Sequence, residues 1–282
     1  MRRTVVAPAM IAALLVGRVA HAQSRPLQTQ DPETVPAGNI LFEAGLGYEQ
    51  KVFYPASGLT GNLTRILPLG LTFGVSSMAE IQFYGGVRDH LSITKYEPAP
   101  LSSLLTVTGD STSDVEDIVI GAKVRFARET ENRPAMAVRF TTRLPNAGNE
   151  SGLGLNTTDF NFYLNLGKTV RSTRVVGNIG FGILGDPVHG YIQNDVFNYG
   201  ISVARAVATG AEIVFEVNGR QNTRSGTPPV GTESRSQMRF GGRYTTGQVR
   251  LDAAILVGLT SFDPTWGFTT GVTWVFKAFD VK

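Results

Sequence analysis

The chain has 282 residues and no cysteine, which excludes a disulfide framework, thiolate metal sites and a lipid-bearing cysteine of a lipoprotein. Its formal charge is +3, with 26 Lys and Arg against 23 Asp and Glu, but Arg2, Arg3 and Arg18 fall in a leader that carries no acid. Beyond that leader the two signs are equal in number, so there is no electrostatic case for a nucleic-acid partner.

Residues 1–22 are predicted as a cleaved signal peptide. Met1-Arg2-Arg3 supplies a positive start, residues 5–16 an apolar run, and Ala20-His21-Ala22 a small-residue cleavage site. Gly17 and Arg18 end the apolar run well short of the roughly 20 residues a membrane-spanning helix needs. Residues 23–38 are polar and proline-spaced and are expected to form a flexible periplasmic lead-in, too short for a folded plug. From Asn39 onward, over 39–282, the pattern has period two, the mark of strands with two unlike faces.

In 38–51, Ile40, Phe42, Ala44, Leu46 and Tyr48 share one face, with Glu43 and Glu49 on the other. In 62–75, Leu63, Leu67, Leu69, Leu71 and Phe73 are apolar, which also puts Arg65 nominally on the apolar face, near a strand end. Residues 79–88 set Ile81, Phe83 and Val87 against Glu80, Gln82 and Arg88. Ile118, Ile120, Val124 and Phe126 oppose Asp117, Lys123 and Arg125; Val138 and Phe140 oppose Arg139 and Arg143. Phe160, Phe162, Leu164 and Leu166 oppose Asp159, Asn161 and Tyr163, and a glycine-rich strand follows at 175–184. Phe197, Tyr199 and Ile201 oppose Asn198 and Ser202; Ile213, Phe215 and Val217 oppose Glu212, Glu216, Asn218 and Arg220. Phe240 and Tyr244 oppose Arg239 and Arg243, Leu251 and Ile255 oppose Arg250 and Asp252, and Trp266 to Phe276 closes the series.

These are about twelve strands, each near the 9–11 residues that a tilted strand needs to cross a bilayer. The connections choose between a soluble sandwich and a membrane barrel. Those at 52–61, 90–113, 145–156, 186–194 and 222–234 are long; those at 76–78, 128–133, 171–173, 206–209 and 246–248 are short, and 261–264 is the one outer loop that is brief. Short periplasmic turns against longer outer loops define an all-β, antiparallel up-and-down transmembrane β-barrel in the cell outer membrane. Expected surroundings are outer-membrane lipids and lipopolysaccharide, with the barrel-assembly machinery as folding partner.

The stretch from Thr269 to Phe276, with Gly271, Trp274 and Phe276, looks like the insertion signal of outer-membrane barrels, although six residues follow the aromatic. Residues 117–126 (DIVIGAKVRF) and 134–145 (PAMAVRFTTRLP) resemble the bacterial outer-membrane family of meta-pathway phenol-degradation proteins. The resemblance rests on strand style over most of the chain. It implies a transporter-like barrel, in some members linked to aromatic-compound catabolism, and carries over no catalytic residue.

No Gly-x-Ser-x-Gly, His-Glu-x-x-His or Walker loop occurs, His90 and His189 fall in expected outer loops, and no metal-ligand spacing stands out, so neither an enzyme nor a cofactor is expected. The informative constellation is the inner face. Lys123, Arg125, Arg139, Arg143, Arg239, Arg243 and Arg250 point inward with Asp159, Glu212 and Glu216, because a charge facing lipid costs about 2–4 kcal/mol at mid-depth. They line a wet pore for small solutes, hydrophobic or aromatic ones included, or they pair across a narrow barrel and close it as a structural or adhesion protein.

Overall fold

The structure is a computed structural model that describes residues 25–281; the expected signal segment and its expected cleavage after Ala22 lie outside the described residues. The alternating stretches become strands because successive side chains then meet two different surroundings, while lateral pairing satisfies the backbone. The strands are β1 (Asn39–Tyr54), β2 (Leu59–Gly74), β3 (Ala79–Tyr96), β4 (Ser111–Asp114), β5 (Ile118–Ala127), β6 (Ala135–Leu144) and β7 (Asp159–Val170). They continue as β8 (Thr173–Gly185), β9 (Gln193–Ala208), β10 (Ala211–Asn222), β11 (Arg235–Thr246), β12 (Val249–Gly258) and β13 (Trp266–Lys277). The long strands pair antiparallel in chain order, and β1 closes on β13 in a register from Asn39 opposite Lys277 to Gln50 opposite Trp266. The four-residue β4 only extends the sheet beside the far half of β3. The other twelve strands make a closed barrel, which leaves no free edge around the ring.

The two ends differ. The end where β1 begins and β13 finishes carries the connections 75–78, 128–134, 171–172, 209–210 and 247–248. The opposite end carries 97–117, 145–158, 186–192, 223–234 and 259–265. Two expectations are corrected there. Residues 52–61 are not a long loop: β1 and β2 each run 16 residues and only 55–58 turn. His90 lies within the 18-residue β3 rather than in a loop, with Nδ1 2.8 Å from Ser113 Oγ. These strands outrun a bilayer because their inner side has a core of its own, in which Val52, Leu59, Leu63 and Leu91 pack together.

Outside the barrel Leu46, Phe83, Ile120, Phe181, Ile201, Phe215, Phe240, Ile255 and Trp274 are exposed. Inside, Glu43, Glu80, Lys123, Asn165, Glu216, Asp252 and Thr273 are buried. That is the inverse of a water-soluble protein and suits an apolar band facing lipid around a polar interior. Phe140, Phe162, Phe181 and Phe197 stand opposite one another on β6 to β9. Centroid separations of 5.1 and 5.4 Å join the first three rings, a cross-strand ridge that helps to hold register.

The alternation on β2 contains one break. Between Ala44 and Leu46 of β1 the pairing shifts, and Leu67 opposite this point has φ +52°. Ile66 and Leu67 are consecutive exposed residues, while Leu63 is buried and Arg65 makes ion pairs with Glu49, Asp89 and Glu116. A β-bulge offsets the pleat by one residue, so everything before it changes face. Leu63 and Arg65 therefore point into the barrel and not toward lipid.

Candidate functional site in the barrel lumen

Residues 25–38, expected as a flexible lead-in beyond the barrel, run instead around its inner wall near the end that carries the termini. The Arg25 guanidinium lies 3.4 Å from the Asp252 carboxylate on β12, and Arg239 on β11 donates to the Pro26 carbonyl at 3.2 Å. The Gln28 amide donates to Glu216 on β10 at 2.9 Å. Gln30 exchanges two bonds with the Asn178 amide on β8, at 2.6 and 2.9 Å. Asp31 pairs with Arg174 at 2.7 Å, Glu33 with Arg125, and the Val35 amide donates to Glu80 on β3 at 2.6 Å. An extended segment taken out of water must find acceptors for its N–H groups, and here wall carboxylates and amides supply them. Leu27 adds apolar contact with Ala204 and Val214. Burial works against the Asp31 charge, but Arg174, the Glu33 amide and Lys123 outweigh it and hold the carboxyl below its ordinary range.

Two glycines make room for the start of this path. A Cβ on Gly45 or on Gly271 would stand 2.4 or 2.3 Å from the Arg25 guanidinium. Gly271, singled out as part of an insertion signal, thus lies in the slot that Arg25 fills. Trp274 and Phe276 of the same motif are on β13 with ring centroids 4.4 Å apart.

Beyond this segment the lumen holds a cavity of about 740 Å³, floored by Arg25 to Gln28. Of the inner-face candidates, Arg139, Arg143, Asp159 and Arg239 line it. Arg143 pairs with Asp117 and, through Nε at 2.9 Å, with Asp159. Arg139 bonds through Nε to Gln82 at 2.7 Å and sits 5.8 and 5.7 Å from the ring centres of Tyr84 and Tyr163. The remaining candidates lie toward the terminal end. Lys123 donates to the Asp31 carbonyl, Arg125 and Glu216 bind the inner segment as described, and Glu212 pairs with Arg243 at 3.2 Å and with Arg250 at 3.8 Å. So the lumen has two zones, one occupied by residues 25–38 and one holding the open cavity.

Arg65, Arg220 and Arg235 also line the cavity but were not among the candidates. Arg220 continues the inward series of Glu212, Glu216 and Asn218, so its face was legible. Arg235 continues Arg239 and Gln237 backward to the edge of the expected 222–234 loop. Arg65 was hidden by the bulge.

The family model described as Putative MetA-pathway of phenol degradation matches residues 23–276. No curated protein matches the chain. Among solved structures, the COG4313 outer membrane channel from Pseudomonas putida F1 is similar with a TM-score of 0.64 at 14% identity, covering 87% of this chain and 98% of that one. The NanC porin is similar with a TM-score of 0.51 at 8% identity, covering 83% of this chain and 98% of that one. At these identities the likeness concerns the fold, which is that of outer-membrane channels.

Proposed function

The chain belongs to the family described as Putative MetA-pathway of phenol degradation, and from that premise we propose that it is a passive outer-membrane channel for small solutes, hydrophobic and aromatic ones included. The observation that carries this reading is a closed barrel, apolar outside, around a polar lumen that keeps an open cavity of about 740 Å³. The end bearing the termini and the short turns faces the periplasm, as in outer-membrane barrels generally. The protein performs no chemistry on its solute; selectivity arises from the lining charges.

One observation favours a second reading, a non-conducting barrel with an ion-paired lumen. Residues 25–38 occupy the lumen at the terminal end, tied to Glu216, Arg174 and Glu80. Planar-bilayer recording separates the two: steady unit conductance from the purified protein supports the channel, and silence supports the closed barrel. Orientation is checked on the cysteine-free background. Single cysteines placed in 145–156 and 222–234 are expected to react with an impermeant thiol reagent on intact cells, and those in 171–173 and 246–248 are not. The reverse pattern would overturn the orientation.

A further inference from the structure

We propose that the lumenal cavity is a binding site for small organic carboxylates with an apolar, ring-sized body, held by Arg139, Arg220, Arg235 and Arg239. This site deepens the channel reading and rests on it, since the carboxylate is the solute in transit.

All four arginines line the cavity, and among the described residues none forms a salt bridge, whereas Arg25, Arg65 and Arg143 beside them do. Their hydrogen bonds go to neutral acceptors. Arg220 donates to the main-chain carbonyls of Glu233 and Gly231 at 2.9 and 2.6 Å, and Arg235 to that of Phe262 at 2.7 Å. Arg239 reaches the Pro26 carbonyl at 3.2 Å, and Arg139 reaches Gln82 at 2.7 Å. Arg220 and Arg235 stand directly opposite each other on β10 and β11. Like charges so placed repel, and among the described residues neither guanidinium has a carboxylate within ion-pair distance.

Among the described residues, seven arginines line the cavity against four carboxylates, three of which are ion-paired. Glu49 and Glu116 belong to Arg65, Asp159 belongs to Arg143, and Asp263 accepts from the Ser236 amide at 2.9 Å and the Thr260 hydroxyl at 2.6 Å. The positive excess is therefore left for an incoming anion. Carbonyl bonds hold the guanidinium groups in place, and a guanidinium has five N–H donors, so free donors remain on each for a forked carboxylate contact.

The remaining wall indicates what the carboxylate is attached to. The volume falls within the range of about 300–1,000 Å³ typical of small-molecule sites, far more than one inorganic ion fills. Phe53, Leu155, Leu184 and the Tyr163 ring also line it, offering apolar surface next to the cationic groups.

The test is calorimetric titration of the full barrel, purified in detergent, with benzoate, with its neutral counterpart benzamide, and with sodium chloride. Benzoate is expected to bind about tenfold or more tightly than benzamide, and to be displaced only by a large excess of chloride. The double variant Arg220→Gln, Arg235→Gln is expected to lose about tenfold or more in benzoate affinity with benzamide unchanged. Heat-dependent gel mobility checks its folding. If that variant does not fold, Arg139→Gln serves instead and is expected to weaken benzoate selectively. Equal affinity for benzoate and benzamide, undiminished benzoate binding in the variants, or displacement by equimolar chloride would each overturn the proposal. Because binding is read without current, a silent bilayer with intact benzoate binding would count against the channel reading alone.

Discussion

Replacing Lys123 by Met is expected to lower the unfolding free energy by about 3–5 kcal/mol, the cost of leaving a buried carboxylate without its partner. Both side chains of the Lys123–Glu80 pair are fully shielded from solvent, with Nζ 2.9 Å from the carboxylate. Glu80 also accepts from the Val35 amide and the Gln82 side chain, and Lys123 also donates to the Asp31 carbonyl. The pair therefore joins two wall strands to the inner segment, and its loss is felt in both. Urea unfolding in lipid vesicles, followed by the fluorescence of Trp266 and Trp274, provides the measurement. Adding Glu80→Gln to the variant should recover most of the loss, because the stranded charge is then removed. A single-variant effect below about 1 kcal/mol, the value of an exposed pair, would show that lumenal water screens the site.

Deleting residues 26–35 is expected to raise unit conductance several-fold above that of the intact chain. The segment visits β12, β11, β10, β8, β5 and β3 in succession through Arg25, Pro26, Gln28, Gln30, Glu33 and Val35, and so lines much of the lumen at one level. Ions passing that level cross only the space it leaves. A milder variant, Glu216→Ala with Asn178→Ala, removes the acceptors for the amides of Gln28, Thr29 and Gln30. Each buried N–H left unpaired costs about 1–3 kcal/mol, enough to let the segment leave the wall part of the time. Single-channel records of that variant should show excursions to the conductance of the deletion. Identical conductance in all three proteins would mean that the segment does not set the narrowest point.

The two zones of the lumen give the inner arginines unlike roles. Arg174 and Arg125 contact the inner segment, Arg139, Arg220 and Arg235 face the cavity, and Arg239 does both. Arg143, although on the same face of β6 as Arg139, is held between Asp117 and Asp159. A shared inward direction therefore does not make neighbouring charges equivalent.

What the amino-acid order determined by itself is what a strand reads locally. Polar and apolar residues two apart established which side of β5, β6, β10 and β12 faces lipid, because a strand reverses its side chains at every residue. Turn-rich stretches of two lengths established the unlike ends of the barrel. The tertiary structure alone decided three things. The bulge at Leu67 changes the face of Arg65 and Leu63 through a pairing shift with β1, which no periodicity in β2 records. The division of arginines into paired and cavity-facing ones depends on neighbours on other strands, such as Arg143 with Asp117 26 residues away. The course of residues 25–38 depends on partners as remote as Asp252, 227 residues from Arg25. A polar, proline-spaced segment contains no apolar face to reveal burial; its burial is favourable only once the closed ring presents carboxylates and amides to its N–H groups.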